Sequence, residues 1–540
     1  MRVNARAQRW AWAAGIVLAA AAAFGASLRG GWLWDDDQYV TQNPLLRSAA
    51  GLGRIWLAPA GVNYFPLTES VRWLQWQAWG AAPFGYRLTN LVLHLASALM
   101  VWRLAGRLRR PAASRTWGPP LAGLLFAVHP LAVESVAWIA ELSNVLSLLL
   151  LLGAFDAWLD FDERGGRGSR WRALAWFAAA LLAKSTAAMF PLILLLHAAW
   201  KRGRLAGADL RAAAPFLVAA LGDGVAALAF EQGRAIGGLG PPLEGLAWRA
   251  LGAGRVALFY LGQCLWPSGL MPIYPRWTVA QPSAAALLAW AAWAGIAWIL
   301  WSRRKSWGRP ALFGLGGFLA ALLPVLGLVP MAYLRLAWAA DHFAYLALPA
   351  IAILAGAAAE ALGAAGAAAA LAAALILAGQ TRLYARAFAG PEALWTLAVR
   401  RNPGAWSAHN DLGSVRFDQG RLPEAAAEFQ EAVRLDPAYA EAWNNLGVAR
   451  AQQGRRPEAE EAYRRALALR PAYADARCNL GNALLQEGRC EAAVREYDAA
   501  LRLKQPFPEA HYNRGLALRA LGRSAEAARE FAASGLPPPG

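Results

Sequence analysis

Cysteine is nearly missing from this chain: three in 540 residues, at Cys264, Cys478 and Cys490. They are too far apart or too poorly spaced for a metal site, and no disulfide framework can be drawn from them. No pair of His/Cys clusters has zinc-ligand spacing. There is no G-x-x-x-x-G-K loop to cradle a nucleotide phosphate and no G-x-S-x-G elbow to present a serine nucleophile. Charge is scarce as well, at 16% of residues. What fills the space is apolar: 58% of residues are hydrophobic and the mean hydropathy is +0.29, too greasy for a soluble protein of this length. The balance of 53 Lys+Arg against 35 Asp+Glu is uneven along the chain. Residues 1–390 hold 33 basic and 16 acidic side chains, while 391–540 hold 20 and 19. The excess therefore lies among short loops between apolar runs, as the positive-inside rule requires, rather than on a soluble face that would grip nucleic acid.

The apolar runs predict an all-α, polytopic membrane bundle over residues 1–380 with about eleven crossings: 10–28, 86–108, 120–133 with an interfacial extension, 143–161, 171–183, 186–200, 212–230, 284–301, 311–329, 345–362 and 364–379. Twenty-seven tryptophans supply the interfacial belts that such a bundle uses. Arg2, Arg6 and Arg9 place the N-terminus in the cytoplasm, with the first run retained as a membrane helix, so residues 29–85 form the first outer loop. The apolar stretch 246–266 is expected to be re-entrant or interfacial. A full crossing there would carry Arg303-Arg304-Lys305 to the outer side. Basic residues such as Arg107, Arg109, Arg110 and Arg115 follow the second crossing on the cytoplasmic side.

After residue 390 the material changes. Gly413, Gly447, Gly481 and Gly515 recur every 34 residues, as do Gly420, Gly454, Gly488 and Gly522. Pro403, Pro437 and Pro471 keep the same period. This is the tetratricopeptide signature, helix pairs stacked into a solenoid. About three and a half repeats are expected over 391–534, with Pro391–Arg401 as a lone capping helix and 535–540 as a tail. Such an array offers a concave surface to an acceptor or partner protein.

Threading returns the reactive residue types to one level: Asp35, Asp36, Asp37, Glu69, Arg72, Arg87, His129, Glu134, Glu141, Lys184, Asp341 and His342. Acids beside cations at a membrane surface suit a reaction on a phosphate-linked lipid. A carboxylate takes the proton of an acceptor hydroxyl while Arg or Lys neutralises the departing phosphate. Each residue also has a plain structural role open to it. The acidic run could merely stop the first helix, His129 could cap a helix end, and Lys184 could snorkel to the interface. His94 and His197 sit mid-span and are expected to be packed in the bundle, His409 and His511 to be structural in the repeats, and Asp223 is given no role.

Trp34-Asp35-Asp36-Asp37 with Thr41-Gln42-Asn43-Pro44 resembles the first outer loop of the transmembrane and tetratricopeptide repeat-containing O-mannosyltransferase family. So do Tyr64-Phe65-Pro66-Leu67-Thr68, Gly85-Tyr86-Arg87-Leu88-Thr89-Asn90, His129-Pro130-Leu131-Ala132-Val133-Glu134 and Asp341-His342-Phe343-Ala344-Tyr345. The resemblance implies a GT-C fold. It also implies transfer of a sugar, typically mannose, from a polyprenyl-phosphate donor to Ser or Thr of a protein, with no metal or other cofactor expected. It maps the catalytic pair onto Asp35 and Asp36. Arg72, Arg87 and Lys184 are left as cations for the donor phosphate, and His129, Glu134, Glu141, Asn144, Asp341 and His342 support the site. Glu141-Leu142-Ser143-Asn144 departs from the family by lacking two basic residues. The expected setting is a bacterial inner membrane, with the repeats on the outer side. Two other readings stand beside this one: a non-catalytic membrane-anchored scaffold, and a lipid-linked sugar transporter or ligase.

Overall fold

The computed structural model describes residues 5–58, 64–109, 117–230, 245–277 and 283–537. Arg2, Arg110 and Arg115, residues 231–244 and the last three residues of the tail lie outside the described residues. The described chain is helical, with no strand among the described residues. It divides into two compact units, Met1–Leu394 and Trp395–Gly540. The helix Pro391–Arg401, assigned from sequence wholly to the repeats, therefore begins inside the first unit.

Among the described residues of the first unit six helices are long and apolar enough to cross a bilayer: Pro83–Leu108, Ile139–Arg164, Gly207–Phe230, Ala284–Ser302, Gly308–Val325 and Gly363–Ala389. A seventh crossing is broken, Gly118–Ala127 and Pro130–Ala137 meeting at 48°. His129-Pro130 makes the break, since proline removes an amide donor and pushes the preceding residue out of helical geometry. The remaining four expected crossings are also helices: Ala5–Phe24, Arg167–Ala183, Phe190–Arg202 and Leu348–Ala361. The last three have 17, 13 and 14 residues, short of the length a span needs. The stretch expected to be re-entrant forms one continuous helix, Leu246–Leu265.

Leu142–Arg164 sets the scale of the bundle. Its 23 residues span about 34 Å. At one end stand Glu141 and Asn144. Near the other, Asp156 binds Arg103 at 2.8 Å and Arg107 at 3.0 Å, Asp160 binds Arg172 at 2.7 Å, and Asp162 pairs with Lys201 and Arg202. The basic loops are thus gathered about a bilayer's thickness away from the acidic cluster.

The second unit is built from four helix pairs: Trp406–Asp418 with Leu422–Leu435, Ala440–Gln452 with Arg456–Leu469, Ala474–Gln486 with Cys490–Leu503, and Pro508–Ala520 with Ser524–Ser534. That is half a repeat more than expected, because the last helix completes its pair. The two glycine series have different causes. At Gly447 an added Cβ would lie 2.5 Å from the Tyr463 ring, and Gly413, Gly481 and Gly515 meet Phe429, Tyr497 and Phe531 in the same way. Gly454 ends its helix at φ +77, a left-handed turn that favours glycine. His409 and His511 are structural: each holds a glutamate of the paired helix, Glu428 at 2.6 Å and Glu530 at 2.7 Å. Asparagines tie successive repeats, Asn445 donating to Asn410 and Asn479 to Asn444.

Candidate active site

The acidic stretch is held between two unusual turns. Trp34 has φ +47, a left-handed conformation that non-glycine residues seldom adopt. Asp37–Thr41 forms a single π-helical turn, a feature that recurs at functional sites. Asn43 closes the loop, its side chain accepting from Leu45 N–H at 3.0 Å and donating to the Tyr39 carbonyl at 3.2 Å. The Trp34 ring stacks on Trp138, 4.8 Å between centroids.

Three adjacent acids have three environments. Asp36 is fully buried. Its two carboxylate oxygens accept the N–H of Leu33 at 2.9 Å and of Ala140 at 2.8 Å. Asp37 is exposed and accepts the Thr41 hydroxyl at 2.7 Å. Asp35 is partly exposed, and its carboxylate has no hydrogen-bond or ion-pair partner among the described residues. Burial, then the charge of Glu141, push the Asp35 carboxyl up to about 6, with His342 pulling the other way. Asp36 is pushed up to about 7 by burial, against its two N–H bonds and the charges of Arg87 and Arg72.

The backbone of residues 137–140 is the hub on which this end of the bundle is assembled. Ala137 O accepts from Arg87 at 2.7 Å, Trp138 O from Asn90 at 3.1 Å, Ala140 O from Arg72 at 2.6 Å, and Ala140 N–H goes to Asp36. These are irregular turns between helices, so their peptide groups need partners from elsewhere. Arg87 also donates to the carbonyls of Ser27 and Phe388, both at 2.9 Å, and to Gly31, and no part of it is exposed.

Two of the three cations expected at the donor phosphate are engaged inside the fold. Arg87 is spent on four carbonyls. Arg72 is buried, pairs with Glu69 and Ala140 O, and lies over the Tyr39 ring at 4.5 Å. Both guanidiniums are buried, their terminal nitrogens are taken by backbone carbonyls and Glu69, and only the Nε of each is left without a partner among the described residues. His129 is also bonded within the fold: Nδ1 accepts the Leu131 N–H and Nε2 lies 3.1 Å from Cys264 O. Lys184 remains. Its Nζ is 3.4 Å from Glu141, and its place at the end of Arg167–Ala183 is secured by Thr68, whose hydroxyl donates to Ala183 O at 2.9 Å.

Beside Lys184 stands His342. Glu134 accepts both its backbone N–H, at 2.9 Å, and its Nδ1–H, at 2.8 Å, leaving Nε2 4.0 Å from Glu141. Burial works against the imidazolium, but Glu141 and Glu134 outweigh it and raise His342 above its ordinary value. Asn144 lies within hydrogen-bond distance of Glu141, Ser135 and His342 O. Asp341 is enclosed, accepting the hydroxyls of Tyr274 at 2.7 Å and Tyr384 at 3.0 Å, and burial together with Glu134 drives it well above the usual carboxylate range. Sequence reasoning missed Thr68, Asn90, Tyr274 and Tyr384. Only Thr68 and Asn90 fall within recognisable motifs. Among the described residues no three of His, Cys, Asp and Glu converge as metal ligands.

The result is a membrane-embedded helical bundle with an unpaired Asp35 carboxylate that feels the charges of Glu141 and His342, followed by a tetratricopeptide array. The chain is a multi-pass membrane protein. Residues 413–454 and 449–488 match the family described as TPR repeat, and 478–539 match Tetratricopeptide repeat. The chain is 28% identical over 171 residues to Protein O-mannosyl-transferase Tmtc1 of Drosophila melanogaster, covering 30% of this chain and 19% of that protein. It is 30% identical over 188 residues to Protein O-mannosyl-transferase TMTC4 of Homo sapiens, covering 30% of this chain and 25% of that protein. The matched stretches thus span a quarter or less of these relatives' own length. The crystal structure of MamA is 28% identical with a TM-score of 0.25, covering 26% of this chain and 84% of that one.

Proposed function

We propose that this chain is a membrane glycosyltransferase that moves a sugar, mannose by the names of its relatives, from a polyprenyl-phosphate donor to Ser or Thr hydroxyls of proteins. The observation that carries the reading is the contrast within the acidic run: Asp36 is consumed by backbone amides while Asp35 is left unpaired beside the Lys184–Glu141–His342 cluster. Asp35 takes the acceptor's hydroxyl proton. The oxygen attacks the anomeric carbon, the bond from that carbon to the phosphate oxygen breaks, and the phosphate leaves with the electron pair, inverting the centre. Lys184 and the His342 imidazolium offset the charge that develops on the leaving phosphate. Glu134 and Glu141 keep both cations in place. The repeats hold the acceptor polypeptide or a partner protein. The reaction face is the outer side of a bacterial inner membrane, and the repeats share that side.

Mass spectrometry of outer-face proteins from cells with and without the functional gene tests this. Hexose on Ser/Thr disappears with the gene. A scaffold would leave protein glycans unchanged, and a transporter or ligase would alter glycan or lipid-linked sugar but not protein. The pH profile is a second check. Asp35 must be ionised, so kcat/KM rises about tenfold per unit below pH 6. His342 must be protonated, so activity falls again above its raised value. His342→Gln removes that alkaline fall while keeping the acid limb.

A further inference from the structure

We propose that Tyr39 reads the transferred sugar: its side-chain hydroxyl donates a hydrogen bond to one hydroxyl of the sugar while Asp35 serves the acceptor. The inference rests on the transferase reading and adds to it a sugar-binding residue. Tyr39 sits in the middle of the π-helical turn Asp37–Thr41, four residues after the base. Every part of it but the tip is fixed. Its N–H donates to Asp35 O at 3.0 Å, and its carbonyl accepts from Asn43 Nδ2 at 3.2 Å. Its ring packs against the cluster of Val40, Leu46, Tyr86 and Ile139, with the Arg72 guanidinium 4.5 Å over its face. Arg72 is itself tied to Ala140 O at 2.6 Å and to Glu69.

The hydroxyl alone is left over. Tyr39 is partly exposed, and its hydroxyl has no hydrogen-bond partner among the described residues. Other tyrosines at this end of the bundle are bonded: Tyr86 to Gly80 O, Tyr260 to Ala340 O, Tyr333 to Pro272 O, and Tyr274 and Tyr384 to Asp341. Packing and the guanidinium contact need only an aromatic ring, which phenylalanine would supply. The oxygen is surplus to the fold and available to a ligand. Burial raises the phenol above its ordinary value, with Arg72 opposing, so the group keeps its proton and donates. Besides Arg72, it feels the carboxylates of Asp35, Glu141 and Glu69. A phosphate set here would face three like charges and a guanidinium whose terminal nitrogens are already engaged. A sugar hydroxyl is neutral, accepts from the phenol and can pass its own proton into a hydrogen bond with a carboxylate. The position also fits. Tyr39 feels both Asp35, the base, and Glu141, which holds Lys184, and the sugar is the part of the substrate that lies between acceptor and phosphate.

Tyr39→Phe removes the oxygen and keeps the ring, so thermal unfolding in detergent stays as in the wild type. The test is binding of polyprenyl-phosphate mannose to the purified full-length protein without acceptor, set against donors in which each sugar hydroxyl is removed in turn. Tyr39→Phe weakens binding of the parent donor about tenfold, the scale of one hydrogen bond. In the wild type one deoxy donor is weakened by a similar factor. For that donor alone Tyr39→Phe costs nothing more, since paired groups are not additive. Polyprenyl phosphate without a sugar binds both proteins alike. Unchanged binding of the parent donor by Tyr39→Phe, losses that add at every hydroxyl, an equal loss for sugar-free polyprenyl phosphate, or a lowered melting temperature overturns the proposal. No binding of the parent donor by the wild type overturns it together with the transferase reading. Because the readout is binding, coupling at one hydroxyl in a protein that transfers no sugar to protein would count against the transferase reading alone.

Discussion

Asp35→Asn lowers sugar transfer at least a hundredfold, on the scale of about 10²–10⁴ for a positioned general base, while the protein inserts and unfolds as the wild type does. The amide is isosteric, and the Asp35 carboxylate has no partner to lose among the described residues. Only basicity is removed. Its neighbour behaves in the opposite way. Both oxygens of Asp36 accept backbone N–H groups, so Asp36→Asn turns an amide NH₂ against one of them. A buried donor left unsatisfied costs about 1–3 kcal/mol. The measurement is transfer to an acceptor peptide, paired with thermal unfolding in detergent for both variants. Full transfer by Asp35→Asn would sink the base assignment. Equal stability of the two variants would sink the division of labour between the acids.

Arg87→Met abolishes activity by unravelling the site end of the bundle, rather than by weakening donor binding. The side chain joins the carbonyls of Ser27, Gly31, Ala137 and Phe388, from segments that are far apart in sequence. Methionine keeps the apolar stem and deletes every donor. The carbonyls of Gly31, Ala137 and Phe388 lose this donor, Ser27 O is left with the Gly30 N–H, and Asp36 loses a neighbouring positive charge that favours its ionised form. Breaking one side of such a buried charged network costs about 3–5 kcal/mol, a large share of a typical domain's stability. The expected result is early melting and rapid proteolysis of the loop 29–58. A stable Arg87→Met protein with a raised KM for donor would return Arg87 to the phosphate and overturn this assignment. Lys184→Ala serves as the contrast: its Nζ makes one ion pair, so stability holds while the donor KM rises or kcat falls.

Much of this was legible in the sequence because it depends on local or periodic signals. The helix pairs after Trp406 follow from a 34-residue period, and steric contact explains it: Gly447 recurs because a tyrosine ring fills the place of its Cβ. The six long apolar helices among the described residues follow from composition and length. The acidic run was conspicuous beside a greasy first segment, and the register of Asn43 was set by short-range bonds to Tyr39 and Leu45.

The roles of individual charges were not legible in that way. Arg72, Arg87 and Lys184 are all cations at one level of the bundle, and charge with depth cannot rank them. The ranking comes from which carbonyls lie within reach, and those carbonyls belong to turns at 137–140 that no period announces. The same holds for Asp35 and Asp36, neighbours in the chain separated in role by a strained Trp34 and by an amide 104 residues away. Composition and period were enough for the materials: an all-helical membrane bundle, a repeat array and a loop rich in acid. Which groups remain unpaired, and so available for chemistry, was set by how the helices pack. Hydrogen-bond satisfaction of buried backbone is a long-range condition, met side chain by side chain after the helices have packed.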